Sequence, residues 1–590
     1  MRCLSPSRRR SFAPLLVMML VGAFAELITI GALLPFLAAI ANPAHSAPLD
    51  FVRSMLQPMG VVGPAQTIYM LTAIFSLAAI FAACVRLLLL WMSQKFVYGA
   101  SNDLAVALYA NMLSQPYAFH LARNSSEVIA GINKVQLVTG GVLMPLVQAC
   151  LAALIALFII AGLIAIDPAV ALVSGGGFSL AYLIVTAMTR ARLRRDSGAV
   201  AKAEYQRIKI MREGLGGIRD VLLDHSQAVF IEAFERVESG YRAARTTITF
   251  YSTAPRFLVE ALGIVLIANI AVTLAARPGG FIGSLPVLGA LALGAQRLLP
   301  LIQQIYTGWA QAMGNRQSIV DLAELLALPA IEGQDAAATG EPWTLATAIS
   351  FDDVSFAYAA DRKPAVNRLT LTIRKGARVG LVGKTGSGKS TLMDLFIGLL
   401  EPSSGTIRID GKALTRENRS RWQRQIAHVP QFIYLADASV AQNIAFGVRR
   451  SEIDMTRVRR AAEQAELADV IAALPWQYET TVGERGVQFS GGQRQRLGIA
   501  RALYRGARVL VLDEATSALD TETEKAVMAA VEMLSDELTI VIIAHRLSTV
   551  GGCDVIVRLE DGHVAAIEER KRPGSTDSRE KTATSRMAKA

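Results

Sequence analysis

Gly383-Lys384-Thr385-Gly386-Ser387-Gly388-Lys389-Ser390-Thr391 matches the pattern G-x-x-x-x-G-K-[ST] and decides the fold of the second part of the chain. In such a loop the glycines let backbone N–H groups surround phosphate, the lysine reaches the outer phosphates, and the hydroxyl that follows it holds magnesium. The flanks fit, because residues 377–382 are typical of an apolar strand and residues 390–400 of a helix. Phosphate would then meet a helix N-terminus, where the dipole favours anions. The stretch predicts an α/β domain that binds ATP or GTP, and its flanks argue against an accidental glycine-rich turn.

Three further motifs follow this loop. Ser490-Gly491-Gly492-Gln493 by itself indicates a helix that is capped after a turn. The apolar run 509–512 ends in Asp513 and Glu514, where a carboxylate at a strand end can hold magnesium or its water shell. His545 follows another apolar run, and a lone histidine in that position is more often structural than catalytic.

The order of these motifs resembles the ATP-binding cassette (ABC) family over roughly residues 348–570. The resemblance implies that the signature Ser490–Gln493 of one cassette closes over the phosphates of a partner cassette. Each site for ATP and Mg²⁺ would then need two copies of the chain, or this chain and a related half-transporter. It also implies that Glu514 polarises the water that attacks the γ-phosphate and that His545 orders this attack.

The resemblance extends to residues outside these motifs. Gln431 matches a glutamine that touches magnesium, Tyr358 an aromatic that stacks on adenine, and Asp520 a loop that crosses the dimer interface. Two alternatives stay open: Tyr358 as a core aromatic and Glu514 as a surface glutamate. The predicted catalytic residues are Glu514, His545 and Lys389, and the predicted magnesium ligands are Ser390, Gln431 and Asp513. The predicted nucleotide-binding residues are Tyr358, Gly383, Lys384, Thr385, Gly386, Ser387, Gly388, Lys389, Ser390, Thr391, Gln431, Ser490, Gly491, Gly492, Gln493 and Asp520.

Composition separates the chain into two parts. Of its 590 residues, 52% are hydrophobic and only 18% charged, which indicates membrane spans. The long apolar runs lie before residue 328, and the rest has ordinary globular patterning. The net charge of +11 is concentrated in loops between apolar runs, so it predicts membrane orientation and no nucleic acid partner. The four cysteines have no paired spacing, which excludes a disulfide framework or a zinc site of the usual kind.

Six apolar runs approach or exceed the ~20 residues that cross a bilayer. They are residues 12–41, 68–92, 142–166, 169–188, 257–276 and 281–312. The long polar connections after the second and fourth runs are basic. Basic segments stay in the cytoplasm, so we expect these connections and both termini on the cytoplasmic side of a bacterial-type inner membrane. Arg8 to Arg10 before the first run could instead belong to a signal peptide, but that run is too long and lacks a good cleavage site.

The expected fold class is multi-domain: an all-α transmembrane domain with six helices, followed by an α/β P-loop cassette. We expect the transmembrane domain at residues 1–328, a linker at 329–347, the cassette at 348–570 and a disordered tail at 571–590. Residues 116–124 and 213–222 resemble the coupling helices of ABC exporters, although amphipathic loop helices are the alternative. Phe489 departs from the leucine that usually precedes the signature, and the tail departs from the usual final helix.

Charged residues inside spans are costly in lipid and usually face a cavity or a partner. Four of them are candidates for the substrate cavity: Glu26, Arg86, Arg256 (near Glu260) and Arg297. In a dimer the arginines would suit a phosphate or pyrophosphate head group, although arginines near helix ends can also reach lipid head groups.

Two short stretches of the apolar runs also favour an anionic lipid as the cargo. Residues 26–35 and 297–300 resemble half-transporters that flip lipid-linked oligosaccharides or export polysaccharides. These observations predict a homodimeric exporter or flippase in contact with membrane lipid, with an anionic lipid-linked amphiphile as cargo. The alternatives are a lipid, drug or peptide exporter with the same ATPase, and a regulator or channel that does not pump, which Glu514 argues against.

Overall fold

The computed structural model describes residues 5–41, 64–123, 125–166, 168–275, 280–329, 343–359, 361–483, 486–514, 521–532, 538–544 and 550–570. The chain divides into two units, one of residues 1–115 with 119–330 and one of residues 116–118 with 331–590. The first unit is helical, and the second contains all of the described strands.

Long helices build the first unit. The helices up to residue 329 are α1 (Pro6–Ala41), α2 (Pro64–Leu113), α3 (Tyr117–Ala122), α4 (Ser125–Val138), α5 (Met144–Ile166), α6 (Pro168–Gly216), α7 (Ile218–Leu223), α8 (Gln227–Thr253), α9 (Pro255–Ala275), α10 (Gly280–Gly314) and α11 (Arg316–Leu326). A π-helical turn at Thr139–Leu143 joins α4 to α5. The short helices α3 and α7 fall where the sequence predicts the two coupling segments, so their helical form is confirmed while their coupling role stays a prediction.

Several helices of the first unit are long and apolar, as membrane spans require. Within the described residues, three helical segments are long and apolar enough to cross a membrane: Pro6–Thr29, Gln66–Leu113 and Ile129–Ile164. Leu77 and Leu87 on α2 and Leu183 on α6 point outward and are mostly exposed, as expected for side chains that face lipid. The predicted runs 169–188 and 281–312 also lie in helices, α6 and α10, and the described part of the run 257–276, up to residue 275, lies in α9.

Close helix contacts hold the first unit together. At Gly308 on α10, an added Cβ would lie 2.8 Å from the carbonyl oxygen of Pro145 on α5 and 2.6 Å from the Cβ of Ala149. Small residues that let backbones approach in this way are typical of helix pairs in membranes. The α5 and α10 helices are therefore fixed against each other beside the buried residues Ile155 and Leu298.

The second unit is an α/β cassette with two sheets. Its strands are β1 (Ala348–Phe356), β2 (Val366–Arg374), β3 (Arg378–Val382), β4 (Ser404–Ile409), β5 (Lys412–Ala413), β6 (Ile426–Val429), β7 (Val509–Asp513), β8 (Thr539–Ile543), β9 (Val555–Glu560) and β10 (His563–Glu569). The larger sheet has the order β10-β9-β3-β8-β7-β6, and the antiparallel sheet has the order β2-β1-β4-β5.

Seven α-helices of the cassette lie between its described strands. They are α12 (Lys389–Ile397), α13 (Arg419–Gln423), α14 (Val440–Ile444), α15 (Met455–Gln464), α16 (Ala468–Ala472), α17 (Gly491–Arg505) and α18 (Thr521–Glu532). Strands β3, β8, β7 and β6 run parallel, and their apolar residues are buried as expected for a sheet covered on both faces. A helical unit followed by an α/β cassette is the fold class that the sequence predicts, and the structure confirms it.

Candidate active site

The carboxyl ends of three parallel strands meet at one edge of the larger sheet. In the register, Leu381 of β3 and Asp513 of β7 both pair with Ile543 of β8. The glycine-rich loop after β3 and the pair Asp513-Glu514 after β7 are thereby brought to neighbouring positions. This edge is the usual ligand site of open α/β sheets.

The glycine-rich loop links β3 to α12 and needs glycine to keep its shape. Gly388 has a φ of +96°, and a Cβ there would lie 2.3 Å from the carbonyl oxygen of Ala365. Gly386 has a φ of +84° but open space around it. The loop leads directly into the N-terminus of α12, whose free N–H groups favour an anion.

Lys389 lies buried at the start of α12 and folds back over the loop. Its Nζ donates hydrogen bonds to the carbonyl oxygens of Gly383 at 2.8 Å and Lys384 at 2.9 Å. Burial lowers the pKa of Lys389, while the charges of Glu514 and Asp513 oppose this shift. The hydroxyl of Ser387 is buried and makes no hydrogen bond with the described residues. A lysine that donates to loop carbonyls, next to a hydroxyl with no hydrogen bond among the described residues, fits the phosphates of a nucleotide.

The two acidic residues after β7 occupy different settings. Asp513 ends the strand, while Glu514 has a φ of +50° and donates its backbone N–H to the carbonyl oxygen of Ile543 at 3.1 Å. The side chain of Glu514 accepts a hydrogen bond of 2.7 Å from Nε2 of Gln431. The structure therefore brings together the predicted attacking-water residue and the predicted magnesium-contacting glutamine.

Asp394 is a site carboxyl that sequence reasoning missed. It lies on α12, and burial together with the charge of Asp513 raises its pKa to about 6. The available signal was an acidic residue five positions after Lys389 in a largely apolar helix. Two carboxyl groups near one another add negative charge where a magnesium ion would bind.

Tyr358 lies beside the phosphate-loop helix. Its hydroxyl is 3.1 Å from Oγ1 of Thr391, and its ring packs edge-on to Phe356 at 5.1 Å. The side chain is 51% exposed, so it is not the core aromatic of the alternative interpretation. Its role in stacking on adenine stays a prediction.

The signature begins α17 with a capping box. The side chain of Ser490 accepts a hydrogen bond from the backbone N–H of Gln493 at 3.3 Å, and Gln493 Oε1 accepts one from the backbone N–H of Ser490 at 2.9 Å. Among the described residues, no hydrogen bond or ion pair joins this signature to residues 383–391. His545 and Asp520 lie outside the described residues, as do residues 484 and 485 before the signature.

A cavity of about 670 Å³ lies among the helices of the first unit. Three of the four predicted charged residues line it: Glu26 of α1, Arg86 of α2 and Arg297 of α10. Arg86 Nε is 2.7 Å from Glu26 Oε1, and Arg297 Nη1 is 3.6 Å from Glu26 Oε2. The sequence did not point to the polar residues that complete the lining: Ser93, Gln148, Gln296 and Gln304.

Arg256 does not belong to this cavity, which corrects the prediction that groups it with Arg86 and Arg297. It lies at the start of α9, 65% exposed, with its Nε 3.8 Å from Oε2 of Glu260 one turn later. The reason is geometric, because a residue in the first turn of a helix can face outward and pair along its own helix.

Comparison with known proteins gives the family. The family model described as ABC transporter matches residues 366–517. A protein of Cupriavidus metallidurans named ATP-dependent lipid A-core flippase is 34% identical over 491 residues, which are 80% of this chain and 80% of the relative. One of the same name from Ralstonia nicotianae is 35% identical over 483 residues, or 78% of each. The solved structure of a bacterial Atm1-family ABC exporter with ATP bound covers 95% of both chains with a TM-score of 0.76 and 24% identity, a likeness of fold.

These findings agree with the geometry described above. The matched region contains the glycine-rich loop, the signature and the Asp513-Glu514 pair, and an ABC transporter domain implies that the cassette binds ATP. The relatives span both the helical unit and the cassette, and apolar helices embed the first unit in a membrane. The chain belongs to the ABC transporter family and is an exporter in which ATP hydrolysis drives transport across a membrane.

Proposed function

We propose that two copies of this chain form a flippase of the inner membrane that moves an anionic amphiphile with a phosphate-bearing head group. A lipid-linked oligosaccharide is the leading cargo. The observation that carries this proposal is the cavity among α1, α2, α5 and α10, which combines two partly exposed arginines with apolar walls. The names of the relatives, flippases of a lipid A-core, support a saccharide-bearing lipid.

The cavity matches both ends of such a cargo. Arg86 and Arg297 are 43% and 32% exposed, so their guanidinium groups can reach a ligand, and guanidinium recognises phosphate in a bidentate manner. Leu89, Ile155 and Leu301 on the cavity wall offer apolar contact for a lipid chain. A charged residue inside a membrane span is costly, so the presence of two arginines at this cavity supports a role in binding.

The cassette supplies the driving reaction. Lys389 and the N–H groups of the glycine-rich loop would bind the outer phosphates of ATP, with Ser390, Asp513 and Gln431 as the candidates that hold Mg²⁺. When bound, Mg²⁺ neutralises charge on the phosphates and orients them. Glu514 would accept a hydrogen bond from the attacking water. Its carboxylate becomes available for this once the hydrogen bond from Gln431 breaks.

A second copy completes the site in this proposal because, among the described residues, the signature makes no hydrogen bond or ion pair with the glycine-rich loop of its own chain. Ser490 begins α17 at an exposed position, and the helix start presents N–H groups to an anion. A partner cassette that places its glycine-rich loop against this helix start would complete the site. The partner is an identical copy in the simplest arrangement.

Orientation follows from the basic residues. The second half of α6 carries many arginines and lysines between residues 190 and 212, and basic segments remain in the cytoplasm. The cassette and both termini then lie in the cytoplasm, where ATP is available.

The test is a flipping assay with purified protein in vesicles that contain a labelled lipid-linked oligosaccharide. We expect ATP to protect the label in the wild type but not in the Glu514→Gln variant, and the combined change Arg86→Gln with Arg297→Gln to abolish protection while ATP hydrolysis continues. Arg256→Gln is the matched control, because it removes an arginine that lies outside the cavity. Equal protection in the double variant and the wild type would refute the proposed cargo site. Stimulation of ATP hydrolysis by apolar drugs or peptides, without an effect of anionic lipids, would favour the drug or peptide exporter.

A further inference from the structure

Glu26 is the central residue of the cavity and also its most buried charge. Its side chain is only 5% exposed, while both arginines around it are accessible. The contact with Arg86 is a short ion pair of 2.7 Å, whereas the contact with Arg297 at 3.6 Å is too long for a hydrogen bond. Glu26 therefore holds Arg86 firmly and Arg297 loosely.

Two polar atoms of the cavity have unused capacity. Within the part of the chain that the structure describes, Glu26 Oε2 and the buried hydroxyl of Ser93 make no hydrogen bond. Arg86 contacts Glu26 through Nε, which leaves the N–H groups of its two terminal nitrogens for another acceptor. Arg86 and the Ser93 hydroxyl thus offer donors to a guest that carries acceptor oxygens, whereas Glu26 Oε2 can only accept a hydrogen bond.

The charge of the cluster is set by Glu26. Two guanidinium groups and one carboxylate sum to +1, in surroundings where uncompensated charge is expensive. A phosphate group with one negative charge brings this sum to zero, while a phosphate with two negative charges brings it to −1. Because Glu26 already neutralises one of the two arginine charges, the cavity disfavours a bound phosphate that carries a second negative charge.

We propose that Glu26 is a specificity-determining residue that makes the cavity select phosphate groups with a single negative charge, as in a phosphodiester. This inference rests on the proposed function, since it requires that Arg86 and Arg297 bind the head group. Glu26 acts through the arginines: it positions Arg86 and competes with the phosphate for Arg297.

The experiment compares two lipids of different head-group charge. Full-length protein in nanodiscs of zwitterionic lipid receives increasing amounts of phosphatidylglycerol, a phosphodiester, or of phosphatidic acid at pH 8, where its phosphomonoester carries close to two charges. The half-saturating fraction of each lipid and the maximal rate of ATP hydrolysis are measured. We expect the wild type to respond at a lower fraction of phosphatidylglycerol than of phosphatidic acid.

Glu26→Gln keeps a carbonyl acceptor for Arg86 Nε but raises the charge of the cavity to +2. We expect the ratio of the two half-saturating fractions to shift by about tenfold in favour of phosphatidic acid. The reason is that removing one negative charge beside the bound phosphate strengthens its attraction to the arginines in a poorly screened site. Glu260→Gln is the matched control, since it makes the same chemical change on α9, outside the cavity. The ratio of the two half-saturating fractions in this variant should equal that of the wild type.

A second comparison tests the same charge balance from the side of an arginine, with Arg297→Gln alone as the variant that keeps Glu26. Arg297→Gln alone lowers the charge of the cavity to zero and should weaken the response to both lipids, whereas Arg297→Gln combined with Glu26→Gln returns it to +1 and should restore the preference for phosphatidylglycerol. An unchanged ratio in Glu26→Gln, or no recovery in the combined variant, would overturn the role of Glu26 and leave the proposed cargo class intact. A wild type that responds to neither anionic lipid would instead contradict the proposed function.

Discussion

Nζ of Lys389 donates hydrogen bonds to two carbonyl oxygens of its own loop. Carbonyls keep the ammonium group in place without neutralising it, so its charge remains available for the phosphates of ATP. We expect Lys389→Ala to reduce ATP hydrolysis by about 100-fold or more, because phosphoryl transfer depends on charge neutralisation at the outer phosphates. The rate of phosphate release by purified protein measures this, with Lys412→Ala at the exposed strand β5 as the control. Hydrolysis at the wild-type rate in Lys389→Ala would contradict the assignment.

Asp394 makes the stability of the cassette depend on pH. Its pKa is raised to about 6 by burial and by Asp513, so the folded state holds the proton more tightly than the unfolded state. The resulting stabilisation is present below the unfolded pKa and is lost as the pH rises through about 6. We therefore expect Asp394→Asn to be more stable than the wild type by about 1 kcal/mol at pH 7.5, after allowance for solvent screening, and nearly equal to it at pH 4.

Thermal unfolding of the full-length protein without nucleotide or magnesium measures this difference. Asp410→Asn is a control of opposite sign: burial raises the pKa of Asp410, but hydrogen bonds from Thr347 and from the backbone N–H groups of residues 346–348 lower it overall. That variant should lose stability relative to the wild type as the pH rises above the range in which Asp410 ionises. An advantage of Asp394→Asn that is the same at both pH values would contradict the role of Asp394.

At the scale of the element, the loop between β3 and α12 tolerates a side chain at one glycine better than at another. Gly386 and Gly388 both have positive φ, so alanine costs about 1 to 2 kcal/mol at either position. Only at Gly388 would the new Cβ also meet a backbone oxygen, 2.3 Å away at Ala365. Gly388→Ala should therefore lower the unfolding temperature and the affinity for ATP more than Gly386→Ala. Equal effects of the two substitutions would show that the contact with Ala365 is relieved at little cost.

The sequence predicted those elements in which local pattern and function coincide. The loop 383–391 needs glycine, lysine and hydroxyl residues at fixed spacing, so its strand and helix could be read directly. The partner of a side chain across helices could not be read in this way. Arg86 and Arg256 are both arginines in or beside apolar runs, and only packing decides that one reaches Glu26 while the other pairs with Glu260. The contact between Gln431 and Glu514 likewise depends on strands that are distant in the sequence.

At the scale of the whole molecule, the proposed pairing of two chains predicts complementation. Lys389→Ala disables the glycine-rich loop and Ser490→Arg disables the signature, so each variant alone should lack activity. In a mixed dimer, the intact loop of one copy meets the intact signature of the other, which restores one of two sites. A 1:1 mixture with random pairing should therefore recover about one quarter of the wild-type rate, provided that the sites work independently.

Co-expression of the two variants with different affinity tags, followed by sequential purification, isolates the mixed dimers for this measurement. Ser490→Ala serves as the structural control, because loss of the cap should cost about 1 kcal/mol of stability without adding bulk at the helix start. Mixed dimers that remain inactive would refute a site shared between copies, and so would full activity of either single variant.

The 50 residues of α2 form one continuous helix from Pro64 to Leu113. At 1.5 Å per residue such a rod is about 75 Å long, more than twice the hydrocarbon thickness of a bilayer. If it swings as a stiff lever, a tilt of about 10° displaces its far tip by about 13 Å. Arg86 lies near the middle of α2, so the same tilt about one end of the helix would displace this arginine by several ångströms.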